Sequence, residues 1–438
     1  MWVKLRLNAS KITSNPSSII GVILAVFLGY LVLAPIVAIV SNAFRLTRMD
    51  AMLSGASYGD FTFDYVDRVI FSPISQNIFW TPLGNSLIVS FFATTLALLL
   101  GFFLAILVTS TNIRGQKYLG FLLIIPYMLP SQAVATAWIT MFKNRKVSGA
   151  PGMLESLGFD PPDWLAYGIL PISVCMAFCY FPLAFLLFSN ALNKIDNQLE
   201  EVATTLGAKT YIVWTKILIP LLIPTTMSIL LLIVARTLGT FATPYILGTP
   251  AGFTLLSTSL YSSLRSGESG VVAVLAIVLT SIGLLLLLAD IFFVRKWKRF
   301  VTVAGKGSKR DSVRLGLWRI PASFFAWAIF LFAAFGPFIV MLLSTLMREP
   351  GVFSISNLSF SYWTGIDVPG VDQPGIFTSP EVLTALFNSL FIAGSASIMC
   401  GILGLMVGYV VVRLPGTFLS GYLRQVWCWA QDFGAALF

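Results

Sequence analysis

The chain has no histidine, and only 11% of its 438 residues are charged. Without histidine it lacks the commonest metal ligand and the usual neutral-pH proton carrier. The Ser/His/Asp and Cys/His catalytic constellations, which both need an imidazole, are excluded as well. A soluble globular chain carries about 25% charged residues, so this one falls far short. Cysteine is also scarce, and its four copies imply no disulfide framework. Cys175 and Cys179, one helical turn apart, read as buried small hydrophobes rather than as a metal pair. Cys400 and Cys428 are isolated. What fills the chain instead is apolar: 57% of its residues are hydrophobic and the mean hydropathy is +0.88. This balance excludes a soluble enzyme, a disordered tail and a secreted disulfide scaffold. It points to an all-α polytopic membrane protein.

Charge-poor stretches of about 20 residues can cross a bilayer. They run from Ile19 to Val40, Leu83 to Ser110, Tyr118 to Phe142 and Gly168 to Leu192. Four more run from Leu221 to Leu247, Val271 to Phe293, Ala322 to Met347 and Val382 to Val412. Eight spans with the N-terminus cytoplasmic put 19 of the 28 Lys+Arg inside and 8 outside. The remaining cation is Arg236, within the fifth span. That bias is the positive-inside rule. Inside segments sum to +14 and outside segments to −4, which accounts for the net +10 without nucleic acid. The densest block, Arg295 to Arg319, can lie against anionic headgroups.

An internal repeat is present. Thr81-Pro82-Leu83-Gly84-Asn85-Ser86-Leu87 opens the second span, and Thr384-Ala385-Leu386-Phe387-Asn388-Ser389-Leu390 opens the eighth. At the same offset of 303 residues, Ala93 meets Ala396, Leu100 meets Leu403 and Gly101 meets Gly404. Each copy follows a lone span and a long outside loop, so the repeat is parallel. The pattern breaks at Arg424, where the first copy is apolar. The expectation is one complete membrane domain over 1–300, a basic linker over 301–320 and an incomplete second copy over 321–438. An interrupted reading frame would explain the break.

Between the fourth and fifth spans, residues 193–220 form an unusual inside segment. Asp196 is a plausible N-cap. Leu199, Val202, Ala203 and Leu206 fall on one helical stripe. Gly207 fits a left-handed C-cap. A short second helix, Tyr211 to Lys216, should follow, with Pro220 and Pro224 at the entry to the fifth span. Periodicity alone leaves two readings open: a helix on the lipid surface, or a knob for a soluble partner.

Glu201-Val202-Ala203, three residues, Gly207, nine residues, then Ile217-Leu218-Ile219-Pro220 resembles the EAA motif of bacterial ABC importer permeases. Val202 stands for the usual first alanine and Ile219 for a leucine. Arg236-Thr237-Leu238-Gly239-Thr240-Phe241-Ala242-Thr243-Pro244-Tyr245-Ile246-Leu247-Gly248 and Val301-Thr302-Val303-Ala304-Gly305-Lys306-Gly307 resemble the subfamily that fuses two permease domains. The resemblance runs from about residue 15 to 423. It implies a type I ABC importer transmembrane domain, a six-helix unit with a partial second copy, in the bacterial cytoplasmic membrane. It also implies a coupling loop built on Leu199, Glu201, Ala203, Leu206, Gly207, Ile217 and Pro220, held by a separate ATP-hydrolysing subunit. ATP and magnesium would bind that subunit, so this chain would be no enzyme and hold no cofactor or metal. An extracytoplasmic binding protein would deliver the substrate. The subfamily is associated mainly with ferric iron, and relatives carry polyamines, phosphonates and other small ions. A homodimer or a separately supplied second half would complete the assembly.

Arg236, Thr240 and Thr243 are the candidates for a translocation path, with Asp290 as a partner for Arg236. A structural ion pair and threonines bonding their own helix are the plainer reading. Gly101 and Ala105, like Gly404 and Gly408, should permit close helix packing. Asn85 and Asn388 read as caps. Gly305-Lys306-Gly307-Ser308 fails as a phosphate loop, because Gly307 follows the lysine where Ser or Thr is required. An ion-coupled secondary transporter, and an inactive truncated permease, are the competing functions. The first would favour inverted repeats and buried carboxylates, and this repeat is parallel.

Overall fold

The computed structural model describes residues 16–195, 198–297, 313–348, 353–368, 371–417 and 419–423. The linker motif at 301–307, the Asp196 cap and the break after Arg424 lie outside them. Along the chain the main helices are α1 (Pro16–Ala43), α2 (Thr81–Ser110), α3 (Gln116–Met128), α4 (Ser131–Phe142) and α5 (Ile169–Lys194). Then come α6 (Gln198–Thr205), α7 (Ile219–Gly239), α8 (Ala242–Gly248), α9 (Leu256–Arg265) and α10 (Ser269–Trp297). The last are α11 (Arg319–Phe330), α12 (Gly336–Thr345) and α13 (Pro380–Arg413). A small antiparallel hairpin pairs Ile366–Val368 with Val371–Gln373, the one sheet among the described residues.

Among the described residues, seven helices are long and apolar enough to cross a membrane. The expected third span is not continuous: α3 and α4 meet at 91°. Pro130 explains the corner. Its ring disfavours the helical conformation at the preceding residue, and Leu129 is extended at φ −73°, ψ 135°. The fifth span also stops early, at Gly239, with Thr240 extended and the chain restarting at Ala242. Pro244 sits in the first turn of α8, where its missing N–H costs nothing.

Among the described residues, three helices widen into a π-turn, at Gln76–Trp80, Trp214–Leu218 and Leu331–Phe335. Each ends two residues before a proline: Pro82, Pro220 or Pro337. A proline ring collides with the carbonyl four residues back and has no N–H to offer it. Here those carbonyls belong to Ile78, Lys216 and Ala333, all inside the widened turns. The wider turn lets the helix continue. The Ile78 carbonyl accepts a bond from Ser259 Oγ at 2.5 Å. Pro35, Pro182 and Pro224 lie inside helices without such a turn. The Tyr211–Lys216 stretch is therefore not a separate helix. It runs through the π-turn into the fifth span as one helix, Tyr211–Gly239.

The chain divides into two compact units. One comprises Met1–Val66, Ser269–Val274 and Phe360–Phe438. In it α1 packs on α13, with Leu24, Leu28, Val407, Val410 and Leu423 buried together. A Cβ on Gly21 would lie 2.9 Å from Val410 Cγ1. In its outer loop Tyr65 is 2% exposed, and its hydroxyl donates to Asp50 Oδ2 at 2.6 Å and accepts from the Thr47 N–H at 3.0 Å. The ring lies against Gly270, where no side chain would fit.

The other unit comprises Asp67–Glu268 and Leu275–Ser359. Its core is α2 against α5, with α7 packed on both. The helix α11–α12 also belongs here. Phe332 sits between Trp138 of α4 and Phe178 of α5, with ring centroids at 6.2 and 5.6 Å. The Arg114 N–H donates to Ser323 Oγ at 2.9 Å, and Trp327 Nε1 donates to the Arg114 carbonyl at 3.2 Å. The helix α11–α12 thus packs on α4 and α5.

Candidate functional site: the inside loop and the broken fifth span

Helix α6 is amphipathic and short. Glu200 and Glu201 occupy its first turn, where carboxylates suit the positive end of the helix dipole. Thr204 and Thr205 turn their hydroxyls back to the carbonyls of Glu200 and Glu201 at 2.8–2.9 Å. The apolar stripe is only partly covered: Leu199 and Ala203 are half-buried, while Val202 is 58% and Leu206 82% exposed.

Gly207 closes this helix in the left-handed region at φ +85°. Its N–H donates to the Thr204 carbonyl at 2.9 Å, and the Ala208 N–H donates to the Ala203 carbonyl at 3.0 Å. This is the Schellman pair of bonds, which satisfies carbonyls that the helix end would leave open. A Cβ on Gly207 would meet nothing within 4 Å. Backbone conformation, not crowding, is therefore what calls for glycine here. Ile217 is half-buried in the π-turn, and Pro220 stands exposed where α7 begins. Together, α6 and its turn present a small apolar knob, with Val202 and Leu206 exposed.

At the other end of α7 the backbone breaks among hydroxyls. Thr240 Oγ1 lies 2.6 Å from the Tyr180 hydroxyl and donates to the Arg236 carbonyl at 2.8 Å. Ser257 Oγ donates to the Thr240 carbonyl at 2.9 Å, satisfying a group freed by the break. Ser90 Oγ and Thr237 Oγ1, both buried, are 2.6 Å apart. Thr243 is fully buried and donates to the Ser131 carbonyl at 3.4 Å. Arg236 and Thr240 are half-buried. Asp290 does not pair with Arg236: among the described residues no ion pair joins them, and Asp290 Oδ1 is buried without a hydrogen-bond partner.

Tyr180, Ser90 and Ser257 were not singled out from the sequence. Ser86, Ser90 and Thr94 recur at every fourth position of α2 and are all buried, so hydroxyl spacing was the available signal. Asn85 is not a cap: its Nδ2 donates to the Thr254 carbonyl at 2.9 Å and ties α2 to the segment before α9. Cys175 and Cys179 are buried as expected, and Cys400 is exposed. No cluster of three or more His, Cys, Asp or Glu suited to a metal exists among the described residues.

Residues 97–299 match the family described as binding-protein-dependent transport system inner membrane component. The ferric transport system permease protein FbpB of Actinobacillus pleuropneumoniae is 24% identical over 336 residues, 76% of this chain and 46% of that protein. The Fe(3+)-transport system permease protein FbpB 2 of Haemophilus influenzae is 25% identical over 337 residues, 76% of this chain and 56% of that protein. The spermidine/putrescine transport system permease protein PotB of the same organism is 26% identical over 184 residues, 41% of this chain and 61% of that protein. The chain spans about half the length of the ferric relatives it matches. A solved bacterial ABC transporter involved in the import of alginate aligns at TM-score 0.47 and 17% identity, over 64% of this chain and 94% of that chain.

Proposed function

We infer, from the membership of residues 97–299 in the family of binding-protein-dependent transport system inner membrane components, that this multi-pass chain is the membrane-spanning part of an ABC importer. It moves substrate inward across the bacterial inner membrane. A separate subunit hydrolyses ATP, and an external binding protein delivers the substrate. The observation that carries this reading is the α6 knob. A helix that leaves Leu206 82% exposed and is closed by a left-handed glycine is built to be covered by a partner. Leu199, Glu201, Ala203, Leu206 and Gly207 would make that contact. Ile217 and Pro220 would pass its movement into α7. In the same reading, 1–300 is a whole permease domain, 301–320 a connector and 321–438 part of a second domain. The hydroxyl-lined break at Arg236, Thr240 and Thr243 borders the translocation path.

Ferric iron is the proposed substrate, because the ferric permease relatives align over about three quarters of this chain. The shorter PotB alignment supports a polyamine as the second reading. Competitive uptake into membrane vesicles carrying the chain, its ATPase and its binding protein separates the two. ATP-dependent accumulation of radioactive iron, unaffected by excess spermidine, is expected. Accumulation of spermidine without iron would overturn the iron assignment. Uptake driven by an ion gradient without ATP would overturn the importer reading itself.

A further inference from the structure

We propose that Arg114, Lys117, Arg314 and Arg319 form a binding site for the headgroup of an acidic phospholipid of the inner leaflet. The inference goes beyond the transport reading and rests only on the cytoplasmic placement of these residues. Two segments far apart in sequence build the site. The Val313 N–H donates to the Ser110 carbonyl at 2.9 Å, and the Asn112 N–H donates to the Val313 carbonyl at 3.3 Å. The Leu315 N–H donates to Asn112 Oδ1 at 3.1 Å. Arg314, between Val313 and Leu315, is therefore held beside the turn that follows α2. One hydroxyl joins the other two arginines: Ser323 Oγ accepts from the Arg114 N–H at 2.9 Å and donates to the Arg319 carbonyl at 2.6 Å. Gly115 follows at φ +78°, and a Cβ there would lie 2.9 Å from the Trp327 ring, so the turn is seated directly on α11. Lys117 lies two residues on, in the first turn of α3.

These bonds fix backbone and leave the cations free to bind. All four residues are exposed, and among the described residues none of them forms an ion pair. No acidic residue occurs in 110–119 or 313–323. Like charges gathered in this way repel one another, and an anion bound among them removes that penalty. Guanidinium groups suit a phosphate in particular, because they can donate two parallel hydrogen bonds to it. Arg114 and Lys117 come from outside the basic block at 295–319, so the fold adds to the charge that the linker carries.

The surroundings select a lipid over a free phosphate. Leu317 and Trp318, between Arg314 and Arg319, are 94% and 73% exposed. On α11, Ile320 and Phe324 lie one turn apart on one face and are 64% and 75% exposed. An exposed apolar path thus starts at the cations and runs along the span. A tryptophan at headgroup level with apolar side chains beyond it matches the layering of a membrane interface. Basic residues at the inner surface are drawn to anionic lipid there. A soluble anion would use none of these apolar residues.

The full chain is purified in a neutral detergent and stripped of lipid. Native mass spectrometry then counts the lipids it retains from an equimolar mixture of phosphatidylglycerol and phosphatidylcholine with identical acyl chains. Phosphatidylglycerol should be retained preferentially and should raise the unfolding temperature, as a ligand of the folded form does. Arg114→Gln together with Arg319→Gln should weaken that retention about thirtyfold. The bonds to Ser323 use only main-chain atoms of these two arginines, so without lipid the double variant should unfold at the wild-type temperature. Lys194→Gln, which removes an exposed cation at the inner end of α5, should leave retention unchanged. Equal retention of the two lipids by the unaltered chain would overturn the proposal, whatever the variants do. An equal loss in Lys194→Gln would overturn it too, by showing a diffuse effect of charge. Inorganic phosphate that raises the unfolding temperature as much as phosphatidylglycerol does, at the same concentration, would assign the cluster to a soluble anion instead.

Discussion

Gly101 lies so near Ala184 that a Cβ added to it would sit 2.5 Å from the Ala184 Cβ. This contact sets the separation of α2 and α5, the two helices at the centre of the larger unit. Gly101→Val must force them apart. Overpacking of this kind costs about 1–3 kcal/mol. Thermal unfolding in detergent should show that loss. In the isolated chain Gly404→Val should show almost none, since nothing faces that position. Equal losses at the two glycines would contradict the packing described here.

At Gly207 the argument concerns conformation rather than space. A β-branched residue at φ +85° faces the left-handed penalty of about 1–2 kcal/mol. Gly207→Val should loosen the Schellman turn and shift the α6 knob. The expected result is loss of substrate-stimulated ATP hydrolysis in the assembled complex, with normal membrane insertion. Gly207→Asn should retain most of it, because asparagine tolerates this conformation. Full coupling in the valine variant would remove α6 from the proposed contact.

The Tyr180 hydroxyl braces the break in the fifth span through Thr240. Hydrogen bonds between helices in membranes are worth about 0.6 kcal/mol on average and up to about 1.7. Tyr180→Phe should cost an amount in that range. It should also raise the reactivity of a cysteine introduced as Thr243→Cys toward a small hydrophilic thiol reagent. Unchanged stability and reactivity would mean that Thr240 is held by the Arg236 carbonyl alone.

Much of this organisation is legible in the residues, and the parts that are not share a cause. Spans and orientation follow from hydropathy and Lys/Arg placement, which act residue by residue. The turn at Gly207 is legible because only glycine sits there without strain. The corner at Pro130 is hidden inside an unbroken apolar run, although Leu129 before a proline is a local signal. The packing of α11–α12 on α4 has no local signal. Nothing in the sequence around Phe332 says that it meets Trp138. Asn85 misleads for the same reason: an amide at a helix start can cap it or, as here, reach a carbonyl 169 residues away.

The outer-loop knot at Tyr65 predicts an alkaline transition. Burial, then the hydrogen bond to Asp50, raises the Tyr65 pKa above 10.0. The neutral phenol is thus the form the fold prefers. Its contribution is fully present below the unfolded pKa near 10 and is lost as pH rises through the higher folded value. Protease cleavage in the outer loop between Ala43 and Asp64 should therefore increase above about pH 10. Tyr65→Phe should be cleaved faster at neutral pH, having lost its bonds to Asp50 and Thr47, with a smaller further rise in alkali. Identical profiles for the two proteins would show that another group titrates.

The clasp between the inside turn and α11 gives the sharpest test of how α11–α12 is held on α4. Ser323 is 6% exposed, and its Oγ accepts the Arg114 N–H while donating to the Arg319 carbonyl at 2.6 Å. Ser323→Ala removes the acceptor of this partly buried bond, a loss of about 1 kcal/mol. Trp327→Phe removes the bond to the Arg114 carbonyl, where water can take its place, and should cost less. A disulfide between Trp138→Cys and Phe332→Cys, formed in the membrane, reports whether α12 is on α4. Ser323→Ala should reduce its yield more than Trp327→Phe does. If neither change lowers the yield while both lower the unfolding temperature, the clasp stabilises the inside turn without holding α12 on α4.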